Sequence, residues 1–390
     1  MSHRPPSARL LTPLQLMLTG AAIALLLSLD VVLTELSPAP SHADENPLPA
    51  VAAPESPAKG TDSLPASELL ERARKTFEVI PDKPAGKDAP SAEVVELGRK
   101  LFFDPRISTD GVRSCVLCHQ PALYGTDALP VSKGVGNKPV PRNAPTILNS
   151  SLQFRIHWDG VFDSVETQAR KALLGPAFGN ESNDAAVERI RTIPGYKDLF
   201  AKAFPGESDP ISIEHWGTAI GAYERTLLTP GPFDAYLSGK PAPLSERELR
   251  GLKIFLDTGC ADCHGGAALG GTSYEKFGVV SDYWKETKSH DIDKGRFNVT
   301  KQDDDLYVFK VPPLRNVAHT PPYFHDGSVA TLPEAVRIMA KVQLDATLKE
   351  TDLADLVAFL ESLTGPLPSH FANAPILPAG EGLHAESTAK

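Results

Sequence analysis

Sulfur-bearing side chains are scarce in this sequence, and their scarcity restricts the chemistry available to it. The chain has four cysteines and three methionines among 390 residues. Two of the methionines lie within the first 17 residues, so Met339 is the only thioether in the remainder. The cysteines occur as two C-x-x-C pairs, within Cys115–His119 and Cys260–His264. No thiol is therefore left for a separate disulfide or a separate nucleophile.

A histidine follows each cysteine pair at once. Two thiols three positions apart can bond to the two vinyl groups of a haem, while the adjacent imidazole binds the iron. A redox dithiol or half of a zinc site is the alternative, but zinc requires a closer second pair, and a thioredoxin-like site requires a βαβ setting that the sequence lacks. The sequence therefore predicts two covalently bound c-type haems. The predicted attachment and proximal residues are Cys115, Cys118, His119, Cys260, Cys263 and His264.

The charge balance bears on the partners of the chain. The formal net charge is -10 at pH 7, with 41% apolar and 23% charged residues, which is ordinary for a soluble globular protein. An acidic chain is not expected to bind nucleic acid and mildly favours a basic partner, such as a small electron-carrier protein. The alternative is that the acidity serves solubility alone.

The first 43 residues predict export. Two arginines precede an apolar run from Leu14 to Leu29, and a small-x-small cleavage site ends at Ala43. Extending the run to Leu36 gives nearly the length of a single membrane span, so an N-terminal membrane anchor is the alternative to a cleaved signal peptide. Residues 44–66, rich in Pro and Ala, predict a flexible linker. We expect a periplasmic protein, either cleaved or tethered.

An internal repeat precedes the two motifs. Gly98–Asp104 and Gly251–Asp257 share Gly, Lys, a branched aliphatic residue, Phe and Asp at equivalent places, so the same kind of helix precedes each haem motif. Because no stretch alternates like a set of strands, the predicted class is all-α, with two cytochrome c-like domains. We place the N-terminal domain at 67–235, the C-terminal domain at 236–367 and a flexible tail at 368–390.

Apolar periodicity, capping residues and prolines predict the other helices. Thr229–Pro243 is predicted as the linker between the domains, and residues 265–305 as mostly loop. The predicted helices are Ser67–Val79, Asp184–Thr192, Tyr196–Ala203, Ile211–Leu228, Leu332–Val342 and Thr351–Leu363.

The second axial ligand of each haem decides its task, since an open iron face permits substrate chemistry. Met339 is the only available thioether, and it lies in the same half as the second motif, so we predict that it binds the C-terminal haem and raises its potential. A core methionine is the alternative. His157 is the most interesting histidine for the first haem because it precedes Trp158. The candidates for that position are His157, His215, His290, His319, His325, His370 and His384.

Several longer motifs carry a family resemblance. Over nearly all of Ser91–Gly365 the chain resembles the bacterial di-haem cytochrome c peroxidases and their relative, the di-haem maturase of methylamine dehydrogenase. Those peroxidases reduce hydrogen peroxide with electrons from small c-type cytochromes or cupredoxins. The matching motifs are Leu97–Arg106, Pro141–Thr146, Trp158–Gly160, Pro313–Val317 and Pro322–Gly327.

The resemblance implies a role for individual residues. His119 would be the proximal ligand of a low-potential, peroxidatic haem, so 67–235 would be the peroxidatic domain. His264 and Met339 would hold a high-potential haem in the electron-transfer domain. Trp158 matches a tryptophan between the haems, and Gln168 matches a glutamine on the peroxidatic side.

The resemblance also implies a calcium site and a possible homodimer. Asn143, with the carbonyl groups of Thr320 and Pro322, matches a calcium site between the domains, where a hard cation takes oxygen ligands and waters.

Two positions depart from the family pattern. Val135 stands where the peroxidases have a histidine that caps the resting peroxidatic haem, and Phe178 stands where they have a glutamate that handles peroxide protons; Glu181 is the nearest carboxylate. We therefore expect a peroxidase whose first haem is open at rest. The alternatives are a maturase-like enzyme that oxidises a protein or small-molecule donor, and a non-catalytic electron-transfer or haem sensor protein.

Overall fold

Helices dominate the structure, and the repeat helices lie within its two hydrophobic clusters. The computed structural model describes residues 66–83, 90–240 and 244–379. Two short antiparallel strands, β1 (Tyr274–Lys276) and β2 (Val308–Lys310), complete the described part, so the predicted all-α class is confirmed. The helices are α1 (Ala66–Thr76), α2 (Ala92–Phe103), α3 (Cys115–Cys118), α4 (Val165–Ala172), α5 (Asn183–Arg191), α6 (Pro194–Ala203), α7 (Ile213–Glu224), α8 (Pro232–Leu237), α9 (Glu246–Asp257), α10 (Cys260–Cys263), α11 (Tyr283–Thr287), α12 (Phe297–Thr300), α13 (Leu332–Leu344), α14 (Glu350–Glu361) and α15 (Ser369–Ala372).

The first hydrophobic cluster forms around α2 and α7. Ser91 begins α2, since its side chain accepts a hydrogen bond from the amide of Val94. Gly98 lets the two helices approach closely, because a Cβ at that position would lie 1.8 Å from the carbonyl oxygen of Ala219. Phe102 is fully buried in this cluster. The cluster fixes the direction in which the chain enters α3.

The second cluster repeats this arrangement around α9 and α14. Ser245 and Glu248 form a capping box at the start of α9. A Cβ at Gly251 would lie 1.9 Å from the carbonyl oxygen of Asp355 on α14. The two repeat glycines therefore have the same physical role, which is close approach of a partner helix.

Membership of the clusters crosses the domain limits predicted from the sequence. Phe77, which directly follows α1, and Phe233 of α8 are buried in the second cluster. Residue 235, the predicted limit, lies inside α8. Phe371 of α15 is fully buried in the first cluster. The described part of the predicted tail, 368–379, is held to α2 because Arg99 donates to the carbonyl group of His370 at 2.8 Å.

Most predicted helices are present with limits shifted by a few residues. The helices α4, α8 and α15 were not predicted, and the loop predicted at 265–305 also contains β1, α11 and α12. The predicted leader and anchor, 1–43, and the linker through residue 65 lie outside the described residues. Within the described ranges, no helix is long and apolar enough to cross a membrane.

Candidate haem-binding active site

Each C-x-x-C-H motif forms a single helical turn. In α3 the amide of His119 donates to the carbonyl group of Cys115 at 3.0 Å, and in α10 the amide of His264 donates to that of Cys260 at 3.1 Å. One turn brings residues i and i+3 to the same side of a helix. The two thiols of each motif therefore lie on one side, followed directly by the imidazole.

Hydrogen bonds fix the orientation of both motif histidines. Nδ1 of His119 lies 2.9 Å from the carbonyl oxygen of Gly125, and Nδ1 of His264 lies 3.1 Å from that of Leu269. Since a carbonyl can only accept, Nδ1 carries the hydrogen and Nε2 keeps its lone pair. Burial lowers the pKa of both rings, that of His264 to about 4. The neutral ring with a free Nε2 is the form that binds iron.

A largely apolar cavity lies beside the second motif. Cys260, Cys263 and His264 line it on one side, and Met339 of α13 lines it as well. Thiols, an imidazole and a thioether around an apolar space fit a covalently bound haem, which these residues would hold. The role of Met339 as axial ligand stays a prediction. The apolar lining includes Phe255, Val336, Leu356 and Leu360.

Trp158 lines the same cavity, although it belongs to the N-terminal half. Its indole Nε1 donates to the carbonyl group of Asn143 at 3.0 Å, and its carbonyl group accepts from the amide of Lys310 at 2.8 Å. The next residue, Asp159, accepts from Arg142 at 2.5 Å. Hydrogen bonds from both halves of the chain therefore hold Trp158, and its position between two haems stays a prediction.

The residues predicted for calcium come together at this cavity. Asn143, Thr320 and Pro322 all line it. Asn143 is buried, and its side-chain amide donates to the carbonyl group of Leu129 at 2.9 Å. No group of three or more His, Cys, Asp or Glu side chains that could hold a metal occurs among the described residues. A calcium site would therefore depend on amide and carbonyl oxygens, and it stays a prediction.

The segments that depart from the family pattern lie side by side. The amide of Val135 donates to the carbonyl group of Pro176 at 2.8 Å. Phe178 is buried in the first cluster, and its carbonyl group accepts from the amide of Thr109 at 2.9 Å. Glu181, in contrast, is exposed. The structure therefore brings Val135 close to the Phe178 segment and leaves the nearest carboxylate facing solvent.

The other predicted distal residues have distinct surroundings. Gln168 lies on α4 and is half-buried. His157 is exposed, and its ring meets that of Phe162 edge to face at 4.7 Å. Among the histidine candidates, His325 is buried and lines the cavity of the second motif. Their roles toward the first haem stay predictions.

Two charged residues near Trp158 were not predicted from the sequence. Arg142 bridges Asp159 and Asp293, at 2.5 Å and 2.6 Å. Lys310 is almost fully buried and lines the cavity. The available signal was a single charge within the apolar run 308–311, which is unusual unless the charge has a buried partner.

Comparisons with known proteins agree with this geometry. The family model described as "Di-haem cytochrome c peroxidase" matches residues 92–242, and the model described as "Cytochrome c" matches residues 249–364. These matches confirm two cytochrome c-type domains, which carry haem c.

Relatives cover most of the chain. Cytochrome c551 peroxidase of Pseudomonas aeruginosa is 41% identical over 320 residues, 80% of this chain and 91% of that protein. Cytochrome c551 peroxidase of Nitrosomonas europaea is 42% identical over 289 residues, 74% of this chain and 84% of that protein. The solved structure of a MauG-like protein associated with microbial copper homeostasis has a TM-score of 0.67 and 31% identity, covering 76% of this chain and 97% of that one. The chain is a di-haem oxidoreductase, and it belongs to the di-haem cytochrome c peroxidase family.

Proposed function

We propose that this enzyme reduces hydrogen peroxide at the haem of the first motif with electrons received at the haem of the second. The asymmetry between the two sites carries the proposal: Met339, the single methionine of the described ranges, lines the cavity of His264. A thioether ligand suits electron transfer, whereas a haem with an open face suits substrate chemistry. The names of the two cytochrome c551 peroxidases support peroxide as the substrate.

The residues of the chain would divide the task. A haem supplies an iron that exchanges electrons and, where its second face is open, binds a small oxidant. His119 would hold the first iron through Nε2, and Trp158 would stand on the electron route between the sites. Gln168 would offer an amide to the oxidant. Proton transfer by a positioned base contributes about 10²- to 10⁴-fold in rate, and Phe178 cannot provide it.

The electron donor would be a small periplasmic cytochrome c or cupredoxin. The net charge of -10 favours a donor with a basic face, since complementary charge speeds the encounter of two proteins. Export to the periplasm, by a cleaved leader or with an N-terminal anchor, and a homodimeric state belong to the same proposal. A calcium ion at Asn143, Thr320 and Pro322 would hold the two halves of the site together.

Steady-state peroxide turnover with a reduced small cytochrome c tests this function. We expect measurable turnover by the wild type and a rise of about 10²-fold or more in Phe178→Glu, because the new carboxylate restores a proton acceptor. Phe178→Gln is the matched control, since it has the same shape without the base. An inert wild type whose activity appears only in Phe178→Glu would rule out peroxide as the natural substrate.

Calcium chelation and EPR spectroscopy of the same protein test two further parts of the proposal. Chelation of calcium should lower turnover, and added Ca²⁺ should restore it; unchanged turnover would contradict the calcium site. The EPR spectrum of the oxidised protein should contain one high-spin haem, because valine at position 135 cannot bind iron. Two low-spin haems would show that another side chain caps the first iron.

A maturase-like oxidation of a protein or small-molecule donor is the second candidate. Val135 and Phe178 favour it, because both depart from the peroxidase pattern. The solved MauG-like structure is also similar to the chain, with 31% identity and a TM-score of 0.67. Peroxide consumption that requires no cytochrome but a different reductant would support this candidate over the first.

A further inference from the structure

His325 is a buried polar residue with an unused hydrogen-bonding atom. Its side chain is 2% exposed, and its ring packs against Phe309 at 4.6 Å and against the edge of Tyr283 at 5.3 Å between centroids. Its Nε2 has no hydrogen-bond partner within the described residues. A buried polar atom without a partner costs free energy, so such an atom in a native fold points to a missing ligand.

Lys310 presents a second polar group to the same space. It is 4% exposed, and its Nζ donates to Oε1 of Gln153 at 2.5 Å. No carboxylate forms an ion pair with it in the described ranges. Burial lowers the pKa of this ammonium group to about 8. A buried cation bonded only to a neutral amide is stabilised when an anion approaches it.

Both residues line the cavity that His264 and Met339 also line. A haem carries two propionate carboxylates in addition to its apolar ring and iron. We infer that His325 Nε2 donates a hydrogen bond to a propionate of the C-terminal haem, with Lys310 as the cation beside that carboxylate. The donor and the cation complement an anion, while the apolar lining suits the porphyrin ring.

This contact would also position the electron route. The Trp158 ring stands edge-on to the His325 ring at 6.3 Å, and the Trp158 carbonyl group accepts from the Lys310 amide. One carboxylate would therefore be held by the same two residues that border Trp158. His325 and Lys310 are positioning residues, because they act through the haem carboxylate and the indole rather than on the oxidant.

The inference rests on the haem at Cys260–His264 and not on peroxide turnover. The propionate contact and the proposed peroxidase function can therefore fail independently. Its test uses the holoprotein with one haem reduced, so that the C-terminal haem is observed separately. Resonance Raman spectroscopy reports the propionate bending band, and an optical redox titration reports the midpoint potential of each haem.

In wild type we expect the propionate band of a hydrogen-bonded carboxylate. His325→Leu should shift that band. It should also lower the equilibrium constant for reduction of the C-terminal haem about three- to tenfold, because a propionate without its hydrogen-bond donor favours the ferric state. A tenfold change corresponds to 59 mV for one electron. Lys310→Met should lower the equilibrium constant at least as much. His325→Gln keeps an N–H donor and should restore both readouts toward wild type.

His215→Gln is the matched control, since that ring stacks on Phe204 at 3.8 Å in the first cluster, away from this cavity. A wild-type band at the frequency of solvent-exposed propionates would overturn the inference. A His325→Leu protein with unchanged band and potential would do so as well. Where His325→Leu does not fold, the wild-type spectrum and Lys310→Met decide the question.

Discussion

At the scale of single residues, one thioether distinguishes the two haem sites. Met339→Leu conserves volume and apolarity, so α13 should keep its place in the second cluster. Loss of the sulfur should lower the potential of one haem by at least roughly 0.1 V, within the range of about 0.8 V that axial ligands span. Redox titration followed optically measures this shift.

The neighbour Ile338 supplies the control for that change. Ile338 is buried in the same helix, and Ile338→Val removes one methyl group without touching a sulfur atom. It should cost about 0.5–1.5 kcal/mol of stability and leave both potentials in place. Equal potentials in wild type and Met339→Leu would show that Met339 is a core side chain and that the C-terminal haem has another ligand.

Residues whose role depends only on their neighbours in the sequence could be predicted from the sequence. The motif cysteines and histidines are identified by spacing alone, because one helical turn brings them together. His325 and Lys310 could not be assigned in this way, since their significance arises where a strand and a distant loop meet at one cavity. Arg142 was missed for the same reason, because its partners Asp159 and Asp293 are far apart in sequence.

At the scale of elements, the repeat glycines permit close approach of two helix pairs, α2 with α7 and α9 with α14. Gly98→Ala would place a methyl group 1.8 Å from a backbone oxygen of α7. Alanine gains about 1 kcal/mol of helix propensity over glycine, but α7 cannot move without disturbing its buried face. The steric cost should prevail, with a net loss of roughly 1–3 kcal/mol.

Thermal unfolding followed by circular dichroism measures this loss. Gly175→Ala is the matched control, because a Cβ there would lie 3.5 Å from its nearest neighbour, an ordinary contact. It should change stability by less than about 0.5 kcal/mol. A Gly98→Ala protein as stable as Gly175→Ala would mean that α2 and α7 separate freely and that the repeat glycine has no packing role.

The limits of the elements were predictable where a cap or a proline marks them. Ser91 and Ser245 identified the starts of α2 and α9, since their side chains accept from the first turn. The short helices α4 and α8 were missed because few residues leave little periodicity to detect. Tertiary contacts, rather than local pattern, stabilise helices of this length.

At the scale of the whole molecule, some segments pack in a hydrophobic cluster formed mainly by the other half of the chain. Phe77 and Phe233 complete the second cluster from the N-terminal side, while Phe371 returns to the first. The sequence cannot show in which cluster each of these segments packs. An amphipathic pattern predicts that one face is buried, but it does not identify the partner. All described residues accordingly belong to one compact unit.

Arg142 joins the two halves of that unit beside Trp158, and its removal should lower the free energy of unfolding. Arg142→Met leaves the carboxylates of Asp159 and Asp293, 12% and 18% exposed, without their shared cation. Because solvent screens partly exposed groups, we expect a loss of roughly 1–3 kcal/mol at pH 7. Arg247→Met is the control: the Arg247 side chain is 56% exposed in a surface pair with Asp355, so the loss should stay below about 1 kcal/mol.

The pH dependence of that loss identifies its origin. Burial raises the pKa of Asp293, but the hydrogen bond and charge of Arg142 outweigh burial, so the pKa lies below its ordinary value. A lowered carboxyl pKa stabilises the fold above about pH 3.9, and the stabilisation is lost as the pH falls through the folded pKa. The stability gap between wild type and Arg142→Met should therefore be full at pH 7 and shrink below about pH 4. Thermal unfolding across this range measures the gap, and a gap that persists undiminished in acid would assign the effect of Arg142 to contacts other than its ion pair with Asp293.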